Sequence, residues 1–188
     1  RPAAIRALVW DYVRFVKACE NYDLVVSLDG LDAQTIKYCE RFHIPLIFSD
    51  KQEGVGISKN RVLSTCQDYD YYFFLEDDVE LLKWDVFRLH VLASQLTGLH
   101  HLSLFESGRI GEEQSRTVLK ELTVIHSMHG GAPVNFFTKD GIERVGGFHD
   151  EFAKYRRFGH TEHTYRFVNA GLAKYPFNVL AECVEGYF

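Results

Sequence analysis

Tyr71-Tyr72-Phe73-Phe74-Leu75 runs directly into Glu76-Asp77-Asp78, and the reading of this stretch decides the fold. Five consecutive apolar residues predict a strand buried on both faces, the kind found inside an α/β sheet. Three carboxylates immediately after it are too costly to bury, so they mark the point where the strand leaves the core. In open α/β sheets that carboxyl edge is where ligands bind. Side chains alternate along a strand, so Glu76 and Asp78 can face one side while Asp77 faces the other. One acid is then available to a ribose hydroxyl and another to a metal. Acid-x-acid spacing suits a hard cation such as Mg²⁺ or Mn²⁺, which takes few carboxylates and completes its shell with water and diphosphate oxygens. The plain alternative is a solvated turn that caps the next helix.

Working outward, helix and strand alternate. Apolar residues from Ile5 through Val16 recur at helical spacing, with Pro2 near the start. Leu24 to Leu28 reads as a buried strand closed by the turn Asp29-Gly30. Asp32 caps a helix reaching Phe42, the strand Ile44 to Phe48 follows, and a turn at Gly54 and Gly56 leads into a helix through Leu63. After a helix around Trp84 to Leu96 the pattern turns β-rich. Stretches at His101 to Phe105 and Val118 to Ile125, with a glycine-bearing turn between them, predict a hairpin. Asn135-Phe136-Phe137, a turn at Gly146-Gly147, a helix over Thr161 to Ala170 ended by Gly171 and a strand near Tyr175 to Ala181 complete the chain.

The 188 residues, 46% of them hydrophobic, suffice for one domain with one core. A formal charge of −5 with scattered lysines and arginines leaves no footprint for nucleic acid. Cys19, Cys39, Cys66 and Cys183 lack paired spacing and read as buried free thiols. No apolar run reaches the length of a membrane span and the start carries no signal-peptide pattern, so the expectation is a soluble, cytoplasmic chain.

Other segments give the acidic cluster its context. Asp29 ends a strand, and Gly54-Val55-Gly56-Ile57-Ser58-Lys59-Asn60-Arg61 sets small residues, cations and an amide between turn and helix. The carboxylate suits a base or ribose, and Lys59 or Arg61 suits phosphate. Each signal alone also fits a common turn or a solvated helix face. Taken in order, Arg1-Pro2, Val26 to Gly30, Gly54 to Arg61, Phe74 to Asp78, Gly146-Gly147-Phe148 and Gly159 to Arg166 resemble the successive motifs of GT-A glycosyltransferases of the family-2-like group.

That resemblance covers almost the whole chain. It implies an α/β, Rossmann-like three-layer α/β/α fold with a central mixed, mostly parallel sheet. Residues 1–97 would form the nucleotide-binding half and 98–188 the acceptor-binding half. The family's first strand would precede residue 1. The implied reaction is metal-dependent, inverting transfer from a nucleotide-sugar donor, UDP-linked, to a carbohydrate or glycoconjugate hydroxyl. By position, Arg1, Asp29, Lys59, Asn60, Glu76 and Asp77 would meet the nucleotide, and Asp78 would ligate Mn²⁺ or Mg²⁺.

The family's usual general-base Asp falls on His160, with Glu162 at the following acidic position. Either an imidazole or a carboxylate can take a proton from an acceptor hydroxyl. His163, three residues beyond His160, is a candidate metal ligand. Alternatively Glu162 pairs with Arg166 four residues on, and the histidines sit at a rim. Gly130, Gly131 and Gly146-Gly147 would admit close approach of a sugar, and Trp84 could stack on one or pack on the sheet. Two competing readings are a metallohydrolase using Glu76, Asp78, His160 and His163, and a noncatalytic nucleotide-sugar-binding domain.

Overall fold

A computed structural model of the protein describes residues 2–104, 111–131, 133–155 and 158–184. In chain order the elements are α1 (Pro2–Ala18), β1 (Val26–Leu28), α2 (Ala33–Phe42), β2 (Leu46–Phe48), α3 (Val55–Thr65), β3 (Tyr71–Leu75) and α4 (Val86–Thr97). They continue with β4 (His101–Leu104), β5 (Glu113–Val118), β6 (Thr123–Ser127), β7 (Val134–Thr138), α5 (Lys139–Val145), α6 (Asp150–Tyr155), α7 (Gly159–Asn169) and β8 (Phe177–Leu180). The chain divides into two compact units, residues 1–67 with 148–159 and residues 68–147 with 160–188.

In the first unit β1 and β2 pair in parallel, Val26 opposite Leu46 and Leu28 opposite Phe48, with α2 as the crossover between them. Asp32 begins that helix as expected, its side chain accepting from the Thr35 amide at 2.8 Å. Val9 and Val13 of α1, Val26, Cys39 and Ile44 form the core, with Leu24, Leu28, Tyr38, Phe42 and Leu46 packed around it. At Gly54, the N-cap of α3, φ is 106°, a conformation that L side chains rarely adopt.

The second unit is a six-stranded sheet in the order β3-β7-β4-β8-β6-β5. The β4–β8 pairing is parallel and the others are antiparallel, so the fold is mixed α/β with helices flanking the sheet, and antiparallel pairing is concentrated here. Neighbours along β7 point to opposite faces. Phe136 lies 5.0 Å from Phe73, which meets Phe87 of α4 at 4.8 Å. Phe137 lies 5.1 Å from His163 and 5.9 Å from Phe167, both on α7. One helix therefore covers each face. Both phenylalanines are fully buried, each contributing about 2–3 kcal/mol of burial.

The hairpin differs from the sequence expectation. It joins β5 to β6 through residues 119–122, with the Leu119 amide donating to the Leu122 carbonyl at 2.8 Å, whereas β4 lies between β7 and β8. The reason is burial: all four residues of β4 are buried, as a central strand requires, whereas β5 is polar and mostly exposed and takes the edge. The expected strand end Phe105 lies outside the described residues. Helices α5 and α6 are too short to give a periodic signal; α5 begins at Thr138, whose hydroxyl accepts from the Gly141 amide at 3.0 Å.

All four cysteines are thiols rather than disulfides; Cys39 and Cys183 are buried, while Cys19 and Cys66 are half-buried. Burial pushes the Cys183 thiol up to about 12, which keeps it protonated and inert. Among the described residues no helix is long and apolar enough to cross a membrane.

Candidate functional site

In the first unit the carboxyl ends of β1 and β2 lead to the loop that starts α3. Asp29 follows β1, and its Oδ1 accepts from the amides of Glu53 at 2.7 Å and Gly54 at 2.9 Å, while Oδ2 accepts from Gly54 at 3.0 Å. The carboxylate thus anchors the loop to the strand end. Arg61 completes the loop, donating through Nη2 to Glu53 Oε2 at 2.7 Å. Asn60 faces Phe148: its Nδ2 donates to the Phe148 carbonyl at 2.7 Å, and its Oδ1 accepts from the Phe148 amide at 2.6 Å. Lys59 Nζ sits 5.5 Å from the centre of the Phe148 ring, a cation–π distance. A Cβ on Gly56 would stand 3.2 Å from the Phe148 Cβ, so the helix packs closely at that point. Of the residues read as nucleotide-binding, Lys59 and Asn60 meet at Phe148, a partner 88 residues from Asn60 that no local pattern signals. Arg1 lies outside the described residues.

In the second unit Glu76, Asp77 and Asp78 leave the carboxyl end of β3, as the apolar-to-acidic change predicts. The Glu76 amide donates to Pro133 O at 2.9 Å and the Val79 amide to Glu76 O at 3.3 Å, which closes the acids into a turn. Glu76 and Asp77 are half-buried and Asp78 is exposed. Hard oxygen donors on a turn, one of them open to solvent, fit Mg²⁺ or Mn²⁺, which need few protein ligands. Among the described residues no three His, Cys, Asp or Glu side chains gather where they could hold an ion. A metallohydrolase site built from Glu76, Asp78, His160 and His163 is therefore not formed.

Helix α7 places its histidines differently from the sequence expectation. Both ring nitrogens of His160 are buried, and the ring lies 5.7 Å from that of His101 and 5.8 Å from that of Phe177. The imidazole thus packs against rings carried by β4 and β8. His163 is fully buried, with Nε2 donating to the Gly146 carbonyl at 2.9 Å. Glu162 makes the i,i+4 pair with Arg166: Oε1 is 2.9 Å from Nε, and Oε2 accepts from Nη2 at 3.1 Å. Both carboxylate oxygens are engaged there rather than presented as a base. The same guanidinium donates to the Val145 carbonyl at 3.0 Å and the Gly147 carbonyl at 2.6 Å. The ion pair was legible from spacing; these carbonyl contacts were not.

Trp84 stacks on Phe87 at 6.3 Å, the packing alternative rather than a free sugar platform. Gly131 is exposed, with open space where a Cβ would stand, so packing does not demand glycine there. Gly130 forms an isolated bridge next to it.

No family model and no curated protein matches the chain. Solved structures do. S. aureus TarS 1–349 superposes with a TM-score of 0.59 at 13% identity, covering 89% of this chain and 50% of that one. The same protein in complex with UDP gives 0.58 at 14% identity, again over 89% and 50%. The mannosyltransferase PcManGT from Pyrobaculum calidifontis, in complex with GDP-Man and Mn²⁺, gives 0.60 at 16% identity, over 88% and 49%. The shared property is the fold, and this chain spans about half the length of each of these proteins.

Proposed function

We propose that the chain is a metal-dependent glycosyltransferase of the GT-A kind, transferring a sugar from a nucleoside-diphosphate donor, UDP-linked, to a carbohydrate hydroxyl with inversion. The observation that carries this reading is the carboxylate turn at the end of β3, with Asp78 open to solvent, in a fold similar to that of a mannosyltransferase crystallised with GDP-Man and Mn²⁺. Asp78 would hold the divalent cation, with Glu76 and Asp77 beside it. When bound, the cation neutralises charge on the departing diphosphate. Asp29 keeps acceptor capacity on Oδ2 for a nucleobase N–H, and Lys59 carries the cation suited to phosphate oxygens.

A noncatalytic nucleotide-sugar-binding domain is the second reading. It is favoured by one observation: the two base candidates are engaged elsewhere, His160 in the sheet and Glu162 on Arg166. A thermal-shift and calorimetric screen of UDP-glucose, UDP-N-acetylglucosamine and GDP-mannose, with and without Mn²⁺, tests both, because a ligand specific to the folded state raises its stability. Stabilisation by one donor that requires Mn²⁺, with nucleoside diphosphate released on adding hydroxyl acceptors, is the expected result. Binding without release favours the second reading, and no binding by any donor removes both.

A further inference from the structure

Three successive carbonyls, those of Val145, Gly146 and Gly147, are captured by side chains of a single helix. Arg166 Nη1 takes the first at 3.0 Å, His163 Nε2 the second at 2.9 Å and Arg166 Nη2 the third at 2.6 Å. Glu162 pairs with the same guanidinium, Oε2 accepting from Nη2 at 3.1 Å and Oε1 lying 2.9 Å from Nε, which biases its orientation. Gly146 has φ 81°, so the turn is one that a residue with a Cβ enters only with strain. Such a concentration of donors on one turn, two from the half-buried Arg166 and one from the buried His163, goes beyond what ending a short helix demands.

The consequence follows from peptide geometry. In a trans peptide the N–H of one residue points opposite the C=O of the residue before it. Capturing these three carbonyls turns the amides of Gly146, Gly147 and Phe148 away from the side chains that hold them. The Gly146 amide bonds Ile142 O at 2.8 Å and the Phe148 amide bonds Asn60 Oδ1 at 2.6 Å. Between them the Gly147 amide meets no acceptor among the described residues. A fixed donor on a backbone without side chains can approach a ligand oxygen closely.

We propose that His163 and Arg166, with Glu162 orienting the guanidinium, are positioning residues that aim the Gly147 N–H at an oxygen of the donor, a sugar hydroxyl or a diphosphate oxygen. This rests on the nucleotide-sugar reading above. It also gives the polar residues of α7 a role other than base and metal ligand.

Calorimetric titration with Mn²⁺ of UDP, GDP, UDP-glucose, UDP-N-acetylglucosamine and GDP-mannose tests it, alongside amide hydrogen exchange at Gly146, Gly147 and Phe148. Arg166→Lys keeps the charge but offers no planar fork to bridge two carbonyls. His163→Leu removes the donor at similar volume, and His163→Gln restores an N–H. Arg166→Lys and His163→Leu should each weaken binding about ten-fold, the size expected for one misplaced hydrogen bond. His163→Gln should recover most of that loss, and exchange of the turn amides should quicken in the two weakened variants. Weakening confined to the sugar nucleotides identifies a sugar hydroxyl as the acceptor; equal weakening with free UDP or GDP identifies the diphosphate. If the folded variants bind as the wild type does, the positioning role is overturned while the nucleotide-sugar reading stands. If the wild type binds none of these probes, that reading fails and the role falls with it.

Discussion

Asn60 uses both ends of its amide on the backbone of Phe148, and this assigns its orientation, because the Phe148 amide requires an oxygen facing it. Asn60→Ala should destabilise the protein by about 2 kcal/mol, two part-buried hydrogen bonds, read as a lower urea midpoint at unchanged slope. An unchanged midpoint with weakened nucleotide affinity would return Asn60 to the role its sequence position suggests. Asp78 behaves oppositely: it is exposed among like charges, so Asp78→Ala should leave stability equal or slightly higher while abolishing the Mn²⁺-dependent part of donor affinity. Retained Mn²⁺ dependence would remove Asp78 from the metal site. Asp29 combines both characters. Asp29→Asn keeps one carbonyl acceptor for the Glu53 and Gly54 amides, so a loss of nucleotide affinity in that variant at near-normal stability separates ligand contact from loop anchoring.

At the scale of elements, the sheet of the second unit carries a histidine on each face of its central strands. His90 of α4 bonds Val86 O through Nδ1 at 2.8 Å, and His101 of β4 bonds Phe136 O through Nδ1 at 2.9 Å. Burial pushes both down to about 4 from an ordinary 6.5. The unfolded chain therefore binds these protons at a higher pH than the folded one. Between the two values the unfolded state holds more protons, so stability falls as pH is lowered through that window and is fully present above it. Melting temperature followed from pH 7.5 to pH 4 should decline, and His90→Leu or His101→Gln should decline less steeply than the wild type. Parallel curves would rule out these groups as the cause. In the same layer Phe137→Ala should cost about 3–5 kcal/mol, because the ring contacts His101, His163 and Phe167 at once.

At the scale of the whole molecule, the first unit is discontinuous in sequence: residues 1–67 are joined in it by 148–159. Phe148 packs on Gly56 and bonds Asn60, so α3 lacks a face and two hydrogen bonds without that return segment. A fragment of residues 1–67 should be largely unfolded by circular dichroism, and a chain in which 148–159 is linked after residue 67 should regain helix content. A cooperative melt of 1–67 alone would show that α1, α2 and the β1–β2 pair suffice.

Local pattern determined much of this protein. The strand Tyr71 to Leu75 is found with the limits its apolar run predicts, Asp32 caps its helix, and the acids lie just beyond a strand end, since each depends on neighbours within a few residues. The Glu162–Arg166 pair was legible for the same reason, four residues being one helical turn. Tertiary structure alone decided that β4 lies between β7 and β8 rather than in a hairpin, because adjacency follows from which strands are buried on both faces. It also decided that His163 and Arg166 grip a turn 17 to 21 residues away, and that both ring nitrogens of His160 face inward. A side chain on a helix has one spacing pattern whether it faces a ligand, a carbonyl or a core, and only the element packed against it selects among them.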